Sequence, residues 1–185
     1  MAHRFPEFST KRLFFRRLHP KDAEDVYRLF SDPYTMMFDG GAIMGNTFEA
    51  DDFIRQYRLY QPFPSAIRWA ITDLDTDAFY GTGGFHKIDW SANKAEIGGE
   101  LLRKHWQKGI GKEALRGLLN AGFHQLRLNR ITAMMIKDNI AAQALLKYAP
   151  LTKEGTLQEW ERWGERYVDL DIFRILKREW EEIHQ

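Results

Sequence analysis

Cysteine is absent from the 185 residues, which removes disulfides, thiolate nucleophiles and thiolate metal sites together. The chain also lacks long apolar runs. Its start, MAHRFPEFSTKRLFF, has no continuous hydrophobic stretch like that of a secretory signal, and no later segment is long enough to span a bilayer. A cytoplasmic protein with no membrane attachment is expected. Charge of neither sign is in excess: 27 Lys and Arg face 26 Asp and Glu, too even a balance to make a nucleic-acid surface. His86, His105 and His124 are too scattered for a metal cluster, and neither HExxH nor CxxC occurs. No metal is expected. What is abundant is packing material. The chain is 44% hydrophobic with 13 Phe and 6 Trp, enough for one substantial core. No repeat, linker or low-complexity tract divides it, so a single domain over 1–185 is expected.

Periodicity orders the elements. RLFFRRL reads as a first strand. In HPKDAEDVYRLFSDP, Ala23, Val26, Leu29 and Phe30 form one helical stripe that Asp32-Pro33 should stop. After the glycine-bearing FDGGAIMG, Asn46 with Glu49 three residues on forms a cap signal for a second helix. RWAITDL and AFYGTGGFHKID read as a hairpin, with Gly81, Gly83 and Gly84 marking a bulge or a close backbone approach. KAEIGGELL makes a further strand, and KGIGKEALRGLLNAGFHQL an amphipathic helix. NRITAMMI is a strand, DNIAAQALLKYA a short helix ended by Pro150, and the remainder two strands hinged at Trp163-Gly164 before a charged helical tail. This order gives an α/β (α+β) sandwich around one mixed sheet. It lacks the repeated βα units of a dinucleotide fold.

One junction stands apart. RKHWQKGIGKEA joins a strand to a helix through two glycines and a cluster of cations. A helix start carries unpaired amides and a dipole that favours an anion. Gly109 and Gly111 remove side chains that would hold an anion off, and Arg103, Lys104, Lys108 and Lys112 add positive charge. The pattern suits a phosphate or pyrophosphate; read locally, a solvated helix start with glycines chosen for packing suits it as well. The spacing matches neither GxxxxGK[ST] nor GxGxxG.

On these residues the chain resembles the GNAT N-acetyltransferases, in particular their RimJ/RimL-like ribosomal-protein-alanine branch. Trp106-Gln-Lys-Gly109-Ile-Gly111 follows that branch's form of the family signature. The opening FSTKRLFFRRLHPKDAEDVYRLFSDP, Tyr80-Gly81-Thr-Gly83-Gly84, Asn139-Ile-Ala141-Ala142 and Glu154-Gly155-Thr-Leu157 resemble further segments in family order. The resemblance implies a GNAT-like three-layer sandwich whose mostly antiparallel sheet is splayed between two parallel strands, KAEIGGELL and NRITAMMI. It implies acetyl-CoA in the gap. The pantetheine would pair with backbone at Leu101, Leu102 and Arg103, like an added strand. The pyrophosphate would sit on the amides of Lys108, Gly109, Ile110, Gly111 and Lys112, with Lys104, Trp106 and Gln107 also at the cofactor and Asn139 reaching its middle. Read locally, Asn139 is a helix cap beside Asp138, and the two roles are compatible.

Transfer to an amine needs a neutral nucleophile, so a carboxylate acting directly or through water is useful. Glu96 is the first candidate by resemblance. Glu100 stands four strand positions on and so shares its side. An amide near Leu101 or Leu102 would polarise the carbonyl. The family's usual acid positions fall on Ala142 for serine and Leu146 for tyrosine, and neither carries a hydroxyl. Tyr148, two residues beyond, should point elsewhere on a continuing helix. The acceptor would be a protein N-terminus or a small-molecule amine, received in a ternary complex near Tyr34, Phe38, Asp39, Glu49 and Trp163. Each of these also has an ordinary packing, capping or surface reading. A non-catalytic acyl-CoA-binding or regulatory protein is the alternative function, and exposed strand edges near the C-terminus make a homodimer plausible.

Overall fold

The computed structural model describes residues 5–38, 43–58 and 62–183. Strands β1 (Phe8–Ser9) and β2 (Leu13–Arg17) lead into helices α1 (Ala23–Ser31), α2 (Pro33–Met36) and α3 (Thr47–Arg58). Strands β3 (Ile67–Asp73), β4 (Phe79–Asp89) and β5 (Lys94–Leu101) follow, then α4 (Ile110–His124) and β6 (Arg130–Ile136). Helix α5 (Ile140–Leu146), β7 (Thr152–Trp163), β8 (Arg166–Leu176) and α6 (Lys177–Ile183) complete the order. The strands form one sheet in the order β1-β2-β3-β4-β5-β6-β8-β7. Only β5 and β6 are parallel neighbours; the other pairs run antiparallel.

Each face of the sheet has its own core. Helix α4 lays Leu115, Leu118, Leu119 and Phe123 on Phe15, Trp69, Phe85 and Ile131. Leu145 and Leu146 of α5 and Trp180 of α6 join the same layer. On the other face, Val26, Leu29 and Phe30 of α1 and Ala50 and Ile54 of α3 cover Leu18, Ala70 and Phe79. The result is three layers, helices on both sides of a mixed sheet.

Several boundaries differ from expectation for local reasons. Asp32 does end α1, but its carboxylate then accepts the Tyr34 amide and Pro33 opens the short α2, an N-cap followed by proline at the first helical position. Asn46 makes the expected cap: its side chain accepts from the Phe48 and Glu49 amides, and Glu49 accepts from the Gly45 amide before it. Helix α5 stops at Leu146, before Pro150 is reached. β1 was not foreseen, since two residues carry no period.

The glycines of β4 answer a close approach. A Cβ on Gly81 would overlap the Glu100 carbonyl, and one on Gly84 would overlap that of Ile67. Two bulges also interrupt the strand. The ladder to β3 slips by one between Ile71 and Thr72. The ladder to β5 slips between His86 and Asp89, where Lys87 has φ 48°.

A buried ion cluster ties β2 to the start of α1. Arg16 grips both oxygens of Asp22 at 2.8 Å and reaches Asp77 at 2.7 Å. Burial opposes both charges, yet the pairing raises the Arg16 pKa and holds the Asp77 carboxyl down to about 2, where Lys21 also contributes. Asp22 further accepts the His19 amide. Asp22→Ala should therefore strip both terminal nitrogens of the buried guanidinium of their carboxylate, leaving it only that of Asp77, and cost about 3–5 kcal/mol in urea unfolding. A loss under about 1 kcal/mol would mean that Asp77 and solvent suffice.

Candidate active site

The site is made by two strands that part. β5 and β6 share three rungs, Lys94 to Arg130, Ala95 to Ile131 and Glu96 to Thr132. Beyond them β5 stays on β4 as far as Leu101, while β6 stays on β8 as far as Ile136. A gap therefore opens between them. The Asn93 carbonyl accepts from Arg130 and the Leu102 amide donates to Tyr80. Ladder alternation then turns the backbone groups of Ile97, Gly99 and Leu101 toward the gap. Of these, the Leu101 carbonyl is taken by the Trp106 indole N–H at 2.7 Å. Leu102 spends its amide on Tyr80 at 2.8 Å, so of the two amides expected to polarise a carbonyl only that of Leu101 faces the gap.

At the end of β5 the chain makes a short turn over Arg103–His105 and enters α4 through two left-handed residues, Gln107 at φ 59° and Gly109 at φ 75°. Gly109 is the N-cap residue, and no side chain caps this helix. The first amides of α4 are thus bare, with Lys108 and Lys112 beside them. A Cβ on Gly111 would meet Leu101 and Leu145 only at ordinary contact, 3.7 Å. The protein's own packing does not demand glycine there; its absence of side chain leaves space. Arg12, which local sequence did not flag, donates to the Lys108 carbonyl at 3.2 Å and borders this loop. It is aimed by Glu113, which accepts Arg12 Nε at 2.7 Å, the Arg12 amide at 2.7 Å and the Thr10 hydroxyl at 2.6 Å.

Of the other residues expected at the cofactor, one turns away. The Arg103 guanidinium lies 4.6 Å from the centre of the Tyr34 ring and 3.5 Å from Asp32, so its charge serves the α1–α2 side rather than the α4 start. Lys104 is exposed. Asn139 caps α5 by accepting the Ala142 amide at 2.8 Å. The expectation for Tyr148 rested on a continuing helix. The helix ends first, and the ring instead lies under the Lys112 ammonium, 3.0 Å from its centroid, at the mouth of the loop. His105 packs on Tyr80 with ring centroids 4.1 Å apart. Burial, reinforced by Lys104 and Lys108, lowers its pKa and keeps it neutral.

Both glutamates stand on the α1/α3 face. Glu100 is clamped by Arg68, with Thr82 donating at 3.2 Å. Arg68 in turn lies over the rings of Phe30 and Phe53. Glu96 receives Lys87 at 2.9 Å and meets His86 Nε2 at 3.1 Å. Arg68, Thr82, His86 and Lys87 are the neighbours of these glutamates that sequence reading missed. Only counting back from the turn at Ser91–Asn93 signals them, and the bulge at Lys87 upsets that count. Among the acceptor candidates, Tyr34 is exposed beneath Arg103, and Phe38 is half-buried. Glu49 is occupied as a helix cap. Trp163 bonds to Glu161 at the tip of the β7–β8 hairpin, and Asp39 lies outside the described residues.

The family model for the acetyltransferase (GNAT) domain matches residues 12–149. The uncharacterised N-acetyltransferase p20 of Bacillus licheniformis is 34% identical over 171 residues, covering 92% of this chain and 96% of that protein. A GNAT-family acetyltransferase structure from Bacillus anthracis superposes with a TM-score of 0.84 at 21% identity, covering 94% of this chain and 99% of that one. The spermidine N-acetyltransferase of Vibrio cholerae, solved with CoA and spermine, gives 0.82 at 19% identity over 92% and 99%.

Glu113 also makes the loop's anchoring sensitive to pH. Burial opposes its charge, but Thr10 and Arg12 outweigh it and depress its pKa. A depressed carboxylate stabilises the fold above its unfolded pKa, and that contribution is lost as pH falls through the folded value. Glu113→Gln should cost about 1–3 kcal/mol at pH 7, with the gap to wild type closing in acid. Urea melts at the two extremes check this, and a pH-independent difference would count against it.

Proposed function

The chain belongs to the GNAT acetyltransferase family, and from that premise we propose that it moves an acetyl group from acetyl-CoA to a primary amine within a ternary complex. One observation carries the reading: the β5–β6 ladder stops after Glu96 and Thr132, and β5 then runs straight into an uncapped helix start built on Gly109. The outward-facing groups of Ile97, Gly99 and Leu101 suit a chain with amides laid alongside like a strand. The bare amides of Ile110, Gly111 and Lys112 suit a diphosphate. Bound acetyl-CoA supplies the thioester whose acetyl group the amine takes as the thiol departs.

The protein's part is orientation and proton removal. The Leu101 amide presents a donor toward the gap for a carbonyl oxygen. Glu96, on the α1/α3 face, is the carboxylate that supports loss of the amine's proton, directly or through a neighbouring group. Glu100 is less suited, since Arg68 and Thr82 already claim the same oxygen. Arg103, Asp32 and Tyr34 form a charged and aromatic rim on the acceptor side. The Vibrio cholerae neighbour is named for spermidine but shares only the fold, so the acceptor here is assigned only as a primary amine, on a small molecule or a protein N-terminus. No hydroxyl stands at Ala142 or Leu146 to protonate the leaving sulfur. A thiol with an ordinary pKa near 8.5 leaves without one. The same lack favours the second reading, a protein that binds acyl-CoA without turning it over.

Free-thiol release against a panel of polyamines, small amines and N-terminal peptides separates the two. Turnover above blank with at least one amine is expected, falling about 10²–10⁴-fold in Glu96→Gln. Tight acetyl-CoA binding with no thiol release gives the second reading. Gly109→Glu should weaken acetyl-CoA at least tenfold by calorimetry, because it strains a left-handed position and sets a negative charge on the anion seat. Unchanged affinity would remove the seat from the loop.

A further inference from the structure

We infer that His86 is the group that takes the proton from the acceptor amine, and that Glu96 acts through it as a positioning residue. The inference rests on the acetyl-transfer reading and deepens it. His86 and Glu96 are cross-strand partners on β4 and β5, with the ring Nε2 3.1 Å from the carboxylate. An ionised carboxylate only accepts, so Nε2 carries the proton and Nδ1 of the neutral ring carries the lone pair. That free edge lies over Gly98. A Cβ there would stand 3.3 Å from Cε1 and 3.8 Å from Nδ1. Gly98 is two residues past the last β5–β6 rung, so the lone pair sits where the strands begin to part. A side chain at 98 would crowd the ring.

The arrangement is that of a carboxylate holding one imidazole nitrogen so that the other works as a base. Glu96 itself is the less accessible of the two, its side chain 20% exposed against 43% for His86, and one of its oxygens already receives the Lys87 ammonium at 2.9 Å. In the step, the amine nitrogen forms the new C–N bond, the C–S bond breaks with its pair on sulfur, and the amine's proton passes to Nδ1. His86 becomes imidazolium paired with Glu96 and returns the proton to solvent or to the departing thiolate. The side chain is close to half exposed, so an amine and water both have access.

The charged groups that act on the ring are Glu96 from β5, Lys87 from β4 and Arg68 from β3; Glu100 and Arg130 share this face of the sheet but pair with Arg68 and Glu154. From helices α1 and α3 the uncharged Phe30 and Phe53 pack over Arg68. Burial is the main force lowering the His86 pKa. Arg68 and Lys87 add to it and Glu96 opposes it. The ring is therefore neutral at pH 7 and able to accept.

Nitrogen-15 NMR of the protein without cofactor reads the dyad independently of turnover. The Nε2–H tautomer is expected, with a titration midpoint under 6.5, the ordinary histidine value. Lys87→Met should raise that midpoint and Glu96→Gln should lower it. An Nδ1–H tautomer, or a midpoint indifferent to both changes, overturns the dyad. With an amine that the wild type acetylates, the acid limb of kcat/KM should coincide with that midpoint and follow it upward in Lys87→Met. His86→Gln should lose the limb and about 10²–10⁴ in kcat, with melting temperature and acetyl-CoA affinity unchanged. Retention of the limb and of kcat within about threefold in His86→Gln overturns the catalytic role while leaving acetyl transfer standing. A wild type inert toward every amine overturns the acetyl-transfer reading itself, and the role of His86 falls with it.

Discussion

A strand can satisfy both of its edges only where both neighbours keep pace, and β5 loses one of them after Glu96. From Ile97 onward its outward N–H and C=O groups face a gap, and unpaired backbone groups of this kind must find water or a partner chain. The other features described here gather at that parting. The gap ends at a helix whose first amides are equally bare. The α1/α3 face beside its opening carries paired charges where the opposite face is apolar. Leu101, at the far end, has its carbonyl already held by Trp106, which leaves its amide as the donor.

The charged groups beside the parting on the α1/α3 face come as pairs. Glu100 belongs to Arg68, Arg103 to Asp32, and Glu96 to Lys87 and His86. A half-buried carboxylate is tolerable only with such partners, and the partners decide what each carboxylate can do. Clamped by a guanidinium, Glu100 is a scaffold. Shared between an ammonium and an imidazole, Glu96 has a route to a titratable neighbour. Two glutamates equivalent in the strand pattern are thereby made unequal by β3 and β4.

Much of this was legible along the chain. The apolar stripes of α1 and α4, the cap at Asn46, the turn at Gly109 and the common side of Glu96 and Glu100 follow from periods of 3.6 and 2 and from local capping chemistry. Three features were not. Arg12 borders the α4 loop from about a hundred residues away, aimed by Glu113. Tyr148 reaches Lys112 because α5 ends at Leu146, which its local composition does not signal. Arg103 looks like part of the cationic loop in sequence but turns to Asp32 and Tyr34. Each depends on which elements pack together.

The identity of Glu96's neighbour shows the division most clearly. By itself the sequence determined that the chain has no thiol chemistry, that one strand carries two same-side glutamates, and that a glycine-rich cationic turn opens a helix after it. These follow from composition and from short-range geometry, which the local chain controls. Only the tertiary structure decided that His86 stands opposite Glu96. The bulge at Lys87 shifts the β4–β5 register by one residue, and a shift of one carries every side chain to the other face of the sheet. Without it, Lys87 would take the position opposite Glu96 and the imidazole would turn toward the α4 core.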